Sequence, residues 1–99
     1  MRALPLTPDE LRAFCERWRI EELSLFGSYL RDDFGPDSDV DVLVRFAPDA
    51  AWDLWEFIDL RDELAARFGR PVDLVEAAGL RNPFRRHAIL SSREVVYAG

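Results

Sequence analysis

Lysine is missing from this chain: all thirteen basic residues are arginine. That excludes a lysine ammonium as phosphate ligand or catalytic base. Cysteine is nearly absent, and the single Cys15 cannot form an internal disulfide. It falls on the apolar stripe of an expected helix, which assigns it to the core rather than to nucleophilic chemistry. No stretch reaches the roughly 18 apolar residues of a membrane helix, and the N-terminus shows no apolar leader. These absences predict a protein of the reducing cytoplasm with no membrane association. A positive surplus is also missing. The net charge of −6 argues against direct nucleic-acid binding, because phosphate contacts need a basic patch. Repeats, linkers and low-complexity stretches are absent as well.

The 99 residues suit one domain, 1–99, and an apolar content of 48% can supply its core without disulfides. Thr7-Pro8-Asp9-Glu10 marks a helix start with a capping box, followed by Leu11, Phe14, Cys15 and Trp18 at helical spacing. A strand is expected over Glu22 to Phe26, then a short helix from Ser28 to about Asp33, stopped by a Gly35-Pro36-Asp37 turn. Asp39 to Phe46 alternates with period two: Val40, Val42, Val44 and Phe46 on one face, Asp39, Asp41, Leu43 and Arg45 on the other. Trp52 to Phe68 reads as an amphipathic helix with Leu54, Phe57, Ile58, Leu64, Ala65 and Phe68 toward the core and Gly69 as its stop. Pro71 to Val75 is a third strand, Asn82-Pro83 opens a helix to about Leu90, and Glu94 to Tyr97 is an edge strand. This alternation predicts an α/β (α+β) fold, a mixed sheet of about four strands with helices packed on it. Strand order does not follow.

The chemistry concentrates between residues 23 and 76. Gly27-Ser28 precedes Asp39-Val40-Asp41 by ten intervening residues. A glycine at a strand end lets the backbone turn and approach a ligand closely. A serine at the following helix start adds a hydroxyl and free N–H groups suited to phosphate. Asp39 and Asp41, two residues apart on a strand, point to one side roughly 6 to 7 Å apart. Such carboxylates repel unless a cation lies between them, and Mg²⁺ commonly takes one or two carboxylates plus substrate phosphates. Asp73 interrupts the apolar strand Pro71-Val72-Asp73-Leu74-Val75. It is placed as on a central strand of a small sheet, where an unpaired charge would be costly. Beside the Asp39–Asp41 strand it would complete a set able to hold two Mg²⁺ ions about 3.5 to 4 Å apart. The alternative is a structural ion pair with an arginine such as Arg45.

Together, Gly27-Ser28, Asp39-Val40-Asp41 and the downstream Val72-Asp73-Leu74-Val75 strand resemble the minimal nucleotidyltransferases of the DNA polymerase β-like superfamily. These are the antitoxin partners of HEPN-domain toxins. The likeness runs from about Leu23 to Tyr97. It implies a phosphate-binding turn at Gly27 and Ser28, metal-binding and catalytic carboxylates at Asp39, Asp41 and Asp73, and a triphosphate contact from Arg31. The family commonly carries glycine where this chain has Asp32. The implied reaction is transfer of AMP from ATP to a hydroxyl, a tyrosine of a HEPN RNase toxin, by two-metal in-line attack on the α-phosphorus. Asp73 would assist deprotonation of the acceptor. Larger members carry a second domain for the acceptor, and these 99 residues leave no room for one, so a hetero-oligomer with the toxin is expected. The alternatives are an antitoxin that neutralises by binding alone and a nucleotidyltransferase for a small molecule.

Other features stay open between structural and functional roles. Trp55 falls off the main stripe of the long helix and suits either an interface or a wide core contact. Arg81, Arg85, Arg86 and His87 form a dense basic cluster, for triphosphate, for an acidic partner or simply for a solvated helix. Asp53, Glu56, Asp59, Asp62 and Glu63 read as a solvated acidic face.

Overall fold

A computed structural model describes residues 4–31, 34–35 and 37–99. The chain runs α1 (Pro8–Arg17), β1 (Ile20–Phe26), a 3₁₀ turn (Gly27–Leu30), β2 (Val40–Phe46), α2 (Leu54–Phe68), β3 (Val72–Glu76), a second 3₁₀ turn (Ala77–Gly79), α3 (Pro83–Ser92) and β4 (Glu94–Ala98). The four strands form one mixed sheet in the order β3-β2-β1-β4. β1 pairs antiparallel with β2 and β4, whereas β3 lies parallel to β2. A parallel neighbour needs a crossover, and α2 supplies it.

Local chemistry sets the helix ends. Thr7 caps α1 in a reciprocal box with Glu10, as the sequence signals. α2 starts later than the expected Trp52, because Asp53 is its N-cap and closes a second box with Glu56. Trp52 therefore lies outside the helix. Its Nε1–H donates to the Trp18 carbonyl at 2.8 Å, and the two indole rings meet edge to face at 5.1 Å. That contact ties the β2–α2 connection to the end of α1. Gly69 ends α2 with φ of 69°, in the left-handed region. No helix among the described residues is long and apolar enough to cross a membrane.

The two faces of the sheet differ. One face, with Val40, Val42 and Val44 wholly buried, packs against Leu11, Phe14 and Cys15 of α1 and Leu60 and Leu64 of α2. Cys15 is indeed core, and burial pushes its thiol up to about 12, which keeps it inert. The opposite face is covered over part of its area by α3, where Phe26, Leu43, Leu80 and Ile89 form a smaller cluster.

Three expectations need correction. Leu54 is 68% exposed rather than core, because it sits at the first helical position, clear of the sheet; Leu60 takes its place. The strand of Asp73 is an edge strand, not a central one. β1 already occupies one side of β2, so the crossover places β3 on the free side. Asp73 is consequently exposed, and no desolvation cost arises. The helix after Gly27 is a four-residue 3₁₀ turn ending at Leu30. The expected extension to Asp33, the Pro36 turn and the Asp32 departure lie outside the described residues.

Candidate active site

The Gly27–Ser28 turn and the carboxylates meet at one end of the sheet. Phe26, the last residue of β1, is the cross-strand partner of Asp41. Gly27 follows with φ of 68°, a conformation that L side chains rarely adopt, and a Cβ there would run into the Asp41 carboxylate. Glycine is thus required twice, by the turn and by the neighbour. Ser28 is also turned toward β2. Its hydroxyl donates to the Asp39 carbonyl at 3.1 Å, and its backbone N–H donates to the Asp41 carboxylate. Both Ser28 donors are thus engaged within the chain rather than free as expected, and a four-residue turn adds little helix dipole.

Asp41 and Asp73 are direct partners in the parallel β2–β3 register. Alternation along each strand therefore turns both carboxylates to the α3 side of the sheet, the side of Leu43 and Val75. Asp39 lies one residue ahead of β2 and is exposed. Partial burial pushes the Asp41 carboxyl above its ordinary value, and the charges of Asp73 and Asp39 push it further. The Ser28 N–H and the Arg31 charge work in the opposite direction. Asp41 is therefore a carboxylate held among like charges.

Among the described residues, no three His, Cys, Asp or Glu side chains stand close enough together to hold an ion as placed. The donor chemistry nevertheless fits a hard divalent cation: oxygen ligands, mutual repulsion that a cation would relieve, and an open side for phosphate oxygens.

The structural alternative for Asp73 does not hold with Arg45. That guanidinium pairs with Glu21 at 3.1 Å and Glu22 at 3.6 Å. Trp55 is 74% exposed, which removes its core-contact reading. Arg81, Arg85, Arg86 and His87 are all exposed around the start of α3. In the acidic run, Asp53 and Glu56 are capping groups, and Glu63 holds Arg17 and the Trp18 indole. The steric need for Gly27 beside Asp41 was not visible in the sequence, because it depends on the β1–β2 register.

A strand-ending glycine turn, in-register carboxylates and a mixed sheet with an α2 crossover define a class. Residues 10–96 match the family described as "Nucleotidyltransferase domain". The chain belongs to this family. More particularly, it is 40% identical over 82 residues to the protein adenylyltransferase MntA of Thermococcus cleftensis, covering 83% of this chain and 78% of that one. Solved structures with the same fold include a toxin–antitoxin complex with AMP-PNP, at a TM-score of 0.74 and 20% identity, covering 95% of this chain and 75% of that chain. Another is a tri-AMPylated Shewanella oneidensis HEPN toxin in complex with its MNT antitoxin. Its TM-score is 0.66 at 19% identity, covering 93% of this chain and 70% of that chain. At such identities the likeness concerns the fold alone.

Proposed function

We propose that this chain is a protein adenylyltransferase. It transfers AMP from ATP to a hydroxyl, a tyrosine of a HEPN-domain RNase toxin, and so acts as the antitoxin of a hetero-oligomeric pair. The observation that carries this reading is the register of Asp41 opposite Asp73 beside the Gly27–Ser28 turn, in a chain homologous to a protein adenylyltransferase. Residues 1–99 would act as one minimal nucleotidyltransferase domain, in the cytoplasm.

The acceptor oxygen attacks the α-phosphorus of ATP and forms the new P–O bond. The bridging bond to the β-phosphate breaks, and pyrophosphate leaves in line. Gly27 and Ser28 would lie along the triphosphate, and the missing Cβ of Gly27 lets the Asp41 carboxylate stand directly against that turn. Arg31 neutralises phosphate charge. Asp39, Asp41 and Asp73 would hold Mg²⁺, two ions when fully loaded. A metal bound there would offset charge on the phosphates and lower the pKa of the attacking hydroxyl. Asp73 is exposed on the edge strand, where a partner protein can approach, so it is the group assigned to assist removal of the acceptor proton. Most of the rate enhancement then comes from positioning and electrostatics.

The test is the intact mass of the co-expressed partner after incubation with this chain, ATP and Mg²⁺. AMP increments should appear with the wild-type chain and be absent with Asp39→Ala/Asp41→Ala. A stable, neutralised complex that never gains mass would replace this reading with neutralisation by binding.

A further inference from the structure

The chain is acidic overall, yet from residue 77 to residue 93 it contains no Asp or Glu and four arginines. Two of these, Arg86 of α3 and Arg93 at the C-cap of α3, line a cavity of about 210 Å³ together with Arg45 of β2. Leu43 and Leu90 line it as well, and Glu22 is its one acidic wall. Glu22 is shared: Arg93 binds it at 2.5 Å and Arg45 stands at 3.6 Å. Arg45 also leans on Glu21. Arg86 donates to the Ala77 carbonyl at 3.2 Å and pairs with no carboxylate among the described residues. Three arginines thus line one cavity, each held by one or two partners, and they outnumber the neighbouring carboxylates Glu21 and Glu22 by three to two.

We propose that this cavity is a second phosphate site, separate from the carboxylate site, in which Arg45, Arg86 and Arg93 grip a compact phosphate and tie α3 to the sheet. Size and geometry support that class of ligand. Ligand pockets for drug-sized molecules run to about 300–1,000 Å³, so this space suits a phosphate group rather than a nucleoside. Planar guanidinium forks match phosphate oxygens in bidentate fashion, which an ammonium cannot do.

The site also has its own location. Arg45 lies four residues beyond Asp41 on the same face of β2, roughly 13 Å along the strand. Leu43, part of the apolar cluster with Phe26, Leu80 and Ile89, lies on that face between the two positions. A phosphate here joins one cation of the sheet to one of α3 and one at its C-cap, so its occupancy should stiffen the attachment of the helix. The inference does not depend on the proposed transferase activity.

The experiment is an NMR titration of the isolated chain with inorganic phosphate, then pyrophosphate and AMP, following the arginine Nε–H signals and the ³¹P line. Phosphate should shift the signals of Arg45, Arg86 and Arg93 and raise the melting temperature. Arg86→Gln should weaken binding at least about tenfold, because a charge-assisted contact is lost. Arg86→Lys should fall between, and Asp39→Ala/Asp41→Ala should bind as wild type. Because the cavity suits a phosphate group rather than a nucleoside, AMP and pyrophosphate should bind no more tightly than phosphate, and tighter binding of AMP would overturn the assignment of a compact phosphate. The proposal is overturned if millimolar phosphate leaves the three signals unmoved. Unchanged affinity in Arg86→Gln, or loss of binding in the aspartate variant, would overturn it equally.

Discussion

The two faces of the sheet carry opposite kinds of side chain on the same strands. On β2, Val40, Val42 and Val44 are wholly buried beneath α1 and α2, while Asp41, Leu43 and Arg45 alternate with them on the other side. The first face is largely apolar and accounts for most of the core. The second has a small apolar patch between like-charged carboxylates at one end and clustered arginines at the other. Alternation with period two allows one strand to serve both purposes. Stability is concentrated on one face, which leaves the other free to hold charges that stability alone would reject.

Breaking the packed face should have the largest effect on stability. Leu64→Ala removes a wholly buried side chain from α2, with an expected loss of about 2–5 kcal/mol in urea denaturation. Transfer activity per folded molecule should be little changed.

The two left-handed glycines sharpen the comparison further. Gly27 and Gly69 have nearly the same φ, 68° and 69°, but a Cβ at Gly27 meets Asp41 and one at Gly69 meets nothing within 4 Å. Gly69→Ala should cost only the conformational strain, about 1–2 kcal/mol, and leave AMP transfer intact. Gly27→Ala carries the same strain and also displaces a carboxylate, so transfer should fall by about a hundredfold or more. Equal activities of the two variants would contradict the placement of the site. Smallest of all, Thr7→Ala removes the α1 cap on the packed side. It should cost about 1 kcal/mol in thermal or chemical unfolding, with no change in transfer.

Much of this arrangement was legible in the residues. Thr7 and Gly69 announced helix ends, and the period of Asp39 to Phe46 sorted both faces of β2. The carboxylate pairing was also readable as a conditional, since Asp73 meets Asp41 only if their strands adjoin, and they do. What the sequence did not contain was strand order. That is why Asp73 read as central and buried when it is exposed at an edge. Leu54 misled because apolar character does not reveal that a residue sits at a helix's first turn, beyond the reach of the sheet. The cavity beneath α3 was equally hidden. Arg45, Arg86 and Arg93 come from two distant segments, and only the tertiary fold brings them together.

The most direct test of the contrast is Asp41→Asn, with stability and AMP transfer measured on the same preparation across pH. The folded-state carboxyl titrates above its ordinary value of 3.8, so the folded state holds the proton more tightly than the unfolded one. Stability contributed by this group is therefore present at low pH and lost as pH rises through the folded value. Asparagine stays neutral and escapes that loss. The account predicts that Asp41→Asn melts higher than wild type at pH 7, with the gain fading below about pH 4, while transfer is abolished. A variant that melts lower at pH 7, or that still transfers AMP, would contradict it.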